Sequence, residues 1–263
     1  YPGQMKNLIF YQNLKKKNDT FISSPEKKYL NFHYNKYLMM KKLKAEKVSN
    51  VEFFKISSRK DLMNKIPFFV KSKKDFVLKP IFSRGGRGVF IISAKQKKNL
   101  KFTNKKREAH IKLSYFLKKK NIFFSQMIKN SPLILMEKFF HPAMDVDFLS
   151  IRGKLINYVL RERIGDQAEK GSIILMHNNY VKKIIKKICK IFNLSGIFDC
   201  DLMFNSKGKI AVMEMNPRIS GSLYASIYSN INLLDDLISI VLLNKKPQNM
   251  FQKRKKKILA RNV

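Results

Sequence analysis

Ten glycines are spread over 263 residues, yet Gly85, Gly86 and Gly88 stand together in KPIFSRGGRGVFII, between two apolar segments. Glycine lets backbone N–H groups turn toward a phosphate and approach it closely, and Lys79, projecting from the segment before the loop, adds a point charge. This is not a Walker element, because no Gly-Lys-Ser/Thr follows and the next segment reads as a strand where a helix belongs. A glycine-rich hairpin without a ligand is the plain alternative. Being a single copy between strands, the loop also differs from the long disordered repeats of RNA-binding Arg-Gly-Gly boxes.

Carboxylates are scarce, 18 in all, and nine fall between Glu137 and Glu214. Several lie inside apolar runs: Glu137 in LILMEKFF, Asp145 and Asp147 in DVDFL, Asp199 and Asp201 in IFDCDLMF, Glu214 in AVMEMNPR. In a chain of net charge +37, a carboxylate on a sheet is either surface decoration or a ligand for something cationic. Residues two apart share a strand face, so Asp199 goes with Asp201 and Glu214 with Asn216. A two-residue turn at Lys207-Gly208 predicts a hairpin with Asp201 opposite Glu214 and Asp199 opposite Asn216. A slip of one residue would set Asp201 against Met213 and disperse the group. Oxygen donors from Asp201, Glu214 and Asn216, without His or Cys, suit Mg²⁺ (or Mn²⁺) shared with nucleotide phosphates.

The elements that must carry these residues alternate between two periodicities. Helical spacing covers residues 35–47, 105–119 and 58–66, the last behind Ser57 as its N-cap. Within 181–192, Val181, Ile184, Ile185, Ile188, Cys189 and Phe192 form one apolar stripe, that of a helix packed on a sheet. Strands are predicted at 76–80, 88–92, 132–140, 145–151, 153–160, 197–204 and 209–215, with hairpin turns at Arg152-Gly153 and Ser206 to Gly208. Helices mixed with largely antiparallel hairpins argue for an α+β architecture.

The ordered set, Lys in FVLKP, glycines in SRGGRGV, Glu in LILMEKFF, the Asp pair in AMDVDFL, Asp in FDCDLMF and Glu-x-Asn-Pro-Arg in MEMNPRISGS, resembles the ATP-grasp superfamily, especially its carbamoyl-phosphate-synthase-like carboxylate–amine ligases. The resemblance covers residues 35–243. It implies two α+β subdomains gripping a nucleotide, a lid at about 58–135 and a metal-binding part at 136–243, with 1–34 the remnant of a truncated or absent Rossmann-like domain and 244–263 a basic tail. Lys36 and Lys79 would contact the phosphates of ATP under a loop running from Ser83 through Gly85 and Gly86 to Gly88. Glu137, Lys138 and Phe139 would meet the adenine, and Asp145 the ribose. Asp201, Glu214 and Asn216 would hold Mg²⁺, and Arg218, with Lys79, would stabilise the transferred phosphoryl group. Arg161, Arg163, Ser220 and Ser222 are candidates for gripping a substrate carboxylate. Two positions depart from the family pattern: Asn35 replaces the usual Asp before Lys36, and Asp201 stands where Gln is often found. The implied reaction is ATP-dependent joining of a small-molecule carboxylate to an amine through an acyl phosphate. A nucleotide-binding module without turnover is the alternative, motivated by the short stretch before Lys36.

Charge alone would suggest nucleic acid, and that is the more remote reading. Lys plus Arg number 55 against 18 acids, but the excess is mostly Lys spread along an Asn-, Ile- and Phe-rich chain, as AT-biased codon usage would produce. The KRKKK tract at 253–257 reads as a solvated tail. Two cysteines cannot build a disulfide framework or a four-ligand zinc site, and His33, His110, His141 and His177 lie at no ligand spacing. No apolar run reaches membrane-span length and no secretory leader is evident, so a soluble cytoplasmic protein is expected, and self-association into a homo-oligomer is left open.

Overall fold

The computed structural model describes residues 25–49, 51–83, 87–103, 107–128, 132–164, 172–175, 177–221, 223, 229–246 and 256–258. Its architecture is α+β, two six-stranded sheets flanked by helices. The first sheet holds β1 (Phe53–Ile56), β2 (Phe76–Pro80), β3 (Val89–Ser93), β4 (Leu100–Thr103), β5 (Glu108–Lys112) and β6 (Leu133–Glu137), in the order β1-β6-β2-β3-β5-β4. Only β3 and β5 run parallel. The second holds β7 (Phe140–Ile151), β8 (Lys154–Arg163), β9 (Ser172–Ile174), β10 (Gly196–Phe204), β11 (Ile210–Asn216) and β12 (Lys256–Ile258), in the antiparallel order β11-β10-β7-β8-β9-β12. The helices are α1 (Leu30–Tyr34), α2 (Lys36–Ala45), α3 (Arg59–Lys71), α4 (Leu113–Ile128), α5 (Asn179–Ile191) and α6 (Leu233–Val241).

Local chemistry explains where these elements begin. Asn35 caps α2 by accepting the Leu38 N–H at 3.0 Å, and this fixes Lys36 at the first helical position. The cap of α3 is Ser58, one residue later than predicted, because Ser58 and Asp61 form a reciprocal capping box. All six residues of the predicted stripe are buried, five within α5 and Phe192 as its C-cap. Truncating one of them, such as Ile185, would cost about 2–5 kcal/mol.

Three predicted segments are corrected. Residues 105–119 are not one helix: Ala109 and Ile111 alternate into the core, which makes β5 a strand, and α4 starts only at Leu113. Residues 132–140 are not one strand: β6 ends at Glu137 and the chain crosses at Lys138 and Phe139 to begin β7 in the other sheet. Part of the supposed solvated tail, Lys256–Ile258, pairs with β9 as an edge strand.

Aliphatic and aromatic side chains fill both faces of the first sheet. Phe69, Phe76, Phe116 and Leu135 pack under α3 and α4. On the other face Val77, Ile134 and Met136 share one core with Val146, Phe148 and Leu160 of the second sheet and with α2 and α5. The hairpin turn Arg152-Gly153 is as predicted, with both residues at positive φ, 47° and 75°.

Candidate active site

Asp145 and Asp147 of β7, Arg161 and Arg163 of β8, and Asp199 and Asp201 of β10 lie on the opposite side of their strands from the shared core, and with Glu214 and Asn216 of β11 they build one charged face. Across four strands the pairing register aligns Glu214, Asp201, Asp145 and Arg161 in a single row. The next row is Asn216, Asp199, Asp147 and Val159. The row therefore forms as predicted between β10 and β11, but by a different route. The turn is the three-residue loop Ser206-Lys207-Gly208, closed by the Asn205 N–H on the Lys209 carbonyl and by Asn205 Oδ1, which accepts from Lys207 and Lys209 N–H at 3.0 Å each. Only Gly208 takes positive φ (69°), whereas the two-residue turn would have demanded it of Lys207 as well. That loop slips the ladder by one, pairing Leu202 with Val212, and a bulge at Met213 restores Asp201 to Glu214.

Charges on this face are paired unequally. Arg161 is fully buried and donates to Asp147 Oδ2 through Nε at 3.0 Å and Nη2 at 2.6 Å. Arg163 donates through Nε to Asp145 Oδ1 and Oδ2 at 2.8 and 3.0 Å, and its Nη2 lies 2.9 Å from Asp201 Oδ1. Asn216 Nδ2 donates to Asp199 Oδ2 at 3.2 Å, while Asp199 Oδ1 has no hydrogen-bond partner among the described residues. Burial, then the carboxylates of Asp147 and Asp145, push Asp199 up to about 7 against the pull of Arg161 and Arg218. Burial likewise drives Asp201 well above the usual carboxylate range; Arg163 opposes the shift, and Asp199, Asp145 and Glu214 add to it. Oxygens of Asp145, Asp199 and Asp201 lie within 4.8 Å of one another. An all-oxygen, partly unsatisfied donor set whose members repel one another fits a hard divalent cation.

Ammonium groups approach from the other side of the cleft. Lys36 donates to the Ser83 carbonyl and stands 3.4 Å from Glu214 Oε1. Lys79, 7% exposed on β2, is lowered to about 8 by burial and by Lys36, with Glu214 and Asp201 pulling it back up. At neutral pH it keeps its proton. Two buried cations thus face the acidic rows, an arrangement able to hold an anion with a metal between.

The profile of a family described as ATP-grasp in the biosynthetic pathway with Ter operon matches residues 129–262. The chain belongs to the ATP-grasp family. No curated protein matches it by sequence. Among solved structures, N5-carboxyaminoimidazole synthetase from Staphylococcus aureus with ADP aligns at TM-score 0.63 and 15% identity, over 95% of this chain and 60% of that one. The N5-carboxyaminoimidazole synthase of Aspergillus clavatus, with ADP and 5-aminoimidazole ribonucleotide, gives 0.66 and 12% over 94% and 61%. The biotin carboxylase domain of Hydrogenobacter thermophilus 2-oxoglutarate carboxylase, with MgADP and bicarbonate, gives 0.66 and 16% over 94% and 54%. At these identities the likeness is one of fold, and the chain spans 60%, 61% and 54% of those chains.

Within this ATP-grasp chain the predicted residues divide into groups. Lys36, Lys79, Ser83, Asp201 and Glu214 converge on the cleft. Asn216 is one row deeper, on Asp199. Asp145 is engaged by Arg163 and, at 3.7 Å, by Arg161, so in this arrangement its carboxylate is not free for a ribose. Glu137 points behind the crossing, where Oε2 accepts from Ser206 Oγ at 2.6 Å; its N–H donates to Glu52 and that of Lys138 to Asp75. Phe139 is buried in the shared core. Arg218 is exposed and donates to the Ile219 carbonyl at 3.1 Å. Ser220 is buried; burial pushes the Asp147 carboxyl upward, and the Ser220 hydroxyl, with Arg161, opposes that push. Gly88 ends the glycine loop at φ 73°; Gly85, Gly86 and Ser222 lie outside the described residues. Sequence reasoning gave Asp147 and Asp199 no role in the site. Their i, i+2 spacing to Asp145 and Asp201 was the available signal, and what it lacked was the pairing of β7 with β10.

Proposed function

We propose that the chain binds Mg-ATP between its two sheets and uses it to activate a carboxylate for attack by an amine. The observation that carries this reading is the facing of Lys36 and Lys79 against Asp201 and Glu214 within family membership. Asp201 and Glu214, with Asn216 or Asp199, are the residues that would hold the metal, which when bound supplies charge neutralisation along the phosphates. Lys36 and Lys79 would bind the phosphate oxygens, and the segment from Ser83 to Gly88 would cover them. A substrate carboxylate oxygen attacks the γ-phosphorus and ADP leaves; the amine then attacks the acyl carbon, inorganic phosphate departs and the amine loses a proton. Positioning and charge, more than acid–base work, carry such steps. Two of the neighbours hold different small molecules beside the nucleotide, 5-aminoimidazole ribonucleotide in one and bicarbonate in the other, so the acceptor pair is not assigned by fold.

Calorimetry with Mg-ATP tests the reading. Binding is expected to require metal, to vanish with EDTA and to fall at least about tenfold in Glu214→Ala, which removes one charged ligand. Metal-independent binding, or affinity unchanged in Glu214→Ala, would count against it. ADP release with some carboxylate and amine pair completes the case, while binding with no turnover favours a nucleotide-binding module.

A further inference from the structure

Two guanidiniums serve the acidic rows, and they are held differently. Arg161 is sealed, its side chain 1% exposed against an Asp147 that is 0% exposed. Arg163, two residues along the same strand, keeps 24% of its side chain exposed and bridges two carboxylates. Its Nε forks onto Asp145, and its Nη2 reaches both Asp145 and Asp201. That nitrogen therefore bridges two members of the acidic group Asp145, Asp199 and Asp201, whose oxygens lie within 4.8 Å of one another. Nearby, the 94% buried Asp199 leaves Oδ1 without a hydrogen bond among the described residues.

Asp201 is thus claimed twice. It is the cross-strand partner of Glu214 in the row facing Lys36, and it is the outer anchor of Arg163. A divalent ion on a carboxylate oxygen stands about 2 Å from it. An N–H donor on the same oxygen would then lie within a few ångströms of that ion, cation against cation, in a partly desolvated cleft. On Oδ1, the oxygen Arg163 holds, the two exclude each other. The fork onto Asp145 would survive, because it uses Nε as well as Nη2.

We propose that Arg163 is a displaceable counter-ion of Asp201: it neutralises the carboxylate in the metal-free protein, and metal entry breaks the Arg163–Asp201 contact while leaving Arg163 on Asp145. This rests on the assignment of Asp201 to the metal made above and adds a built-in competitor to it. Arg163 is a positioning residue in this scheme, setting when Asp201 becomes a ligand. Its removal should strengthen metal binding, the opposite of what losing a supporting residue does.

Mn²⁺ is the probe, titrated into the full chain without nucleotide and followed by the electron paramagnetic resonance of the free ion. Arg163→Met should bind Mn²⁺ roughly tenfold more tightly than wild type, the scale of one charge-assisted hydrogen bond less what the remaining acids lose. Arg163→Lys, which restores a cation, should return toward wild type, and Asp201→Asn should bind more weakly than either. Equal or weaker binding by an Arg163→Met variant whose far-ultraviolet circular dichroism matches wild type overturns the proposal. Should that variant not fold, Mg²⁺ titration of wild type followed by arginine side-chain NMR decides: the Arg163 Nη protons must shift while the Nε proton stays bonded, and unmoved signals overturn it. Failure to find any turnover would leave a tighter Arg163→Met variant standing. Absence of Mn²⁺ binding by both proteins overturns the counter-ion and the metal assignment together.

Discussion

At the scale of single residues, burial decides what each charge is worth. Arg161 and Asp147 are interior groups that offset their desolvation chiefly through each other. Arg161→Met should therefore destabilise the protein by about 3–5 kcal/mol, and adding Asp147→Leu should recover most of it, read from urea midpoints of the single and double variants. If the double variant is no better than the single, the pair is not what holds this face. His33 is a second interior group, packed on Phe192 with ring centroids 5.6 Å apart. Burial pushes it down to about 3, with the Met215 backbone pulling slightly the other way. The fold keeps the ring neutral while the unfolded chain protonates near 6.5, so stability is full above that pH and is lost as pH falls toward 3. The loss should reach about 2 kcal/mol at pH 5, and His33→Leu should flatten that part of the pH profile of thermal unfolding.

At the scale of elements, the hairpin β10–β11 shows what could be read from the chain and what could not. Alternation in FDCDLMF and AVMEMNP placed the acids on one face and Cys200 in the core, where it is buried. Neither pattern contains the bulge, because a slipped turn with a bulge and an unslipped turn without one give the same Asp201–Glu214 pair. The backbone demand on Lys207 separates them. Met213 is the surplus residue, so deleting it should leave Glu214 opposite Asp201 and Mn²⁺ binding close to wild type. Deleting Leu202 should turn Asp201 to the core face and abolish binding in the same titration. The strand crossing at Lys138 and Phe139 was hidden for a related reason: PLILMEKFF is apolar on both sides of Glu137 and Lys138, and period-two alternation carries no mark where one sheet hands the chain to another. Helix α5 was legible in its buried face, since a six-residue stripe over one polar face has a single solution, though its start at Asn179 behind the Asn178 cap was not.

At the scale of the whole molecule, the fold is two sheets joined by one core, and the shared core places the lysines of the first sheet's side over the acids of the second. Long-range pairings assemble this: β1 with β6, and β7 with β10, join segments about 80 and 50 residues apart, distances over which local sequence patterns say nothing. Half of the chain's acids lie between Glu137 and Glu214, while 55 lysines and arginines are spread throughout. An anionic nucleotide approaching from bulk water therefore meets a field that draws it in, over the Debye length of about 8 Å at physiological salt. Over the last few ångströms it meets both signs, the carboxylates of Asp201 and Glu214 with Lys36 and Lys79 set against them. A charge layout that is uniform at long range and mixed at short range would thus draw in any anion but offer separate partners to each half of a metal–nucleotide pair.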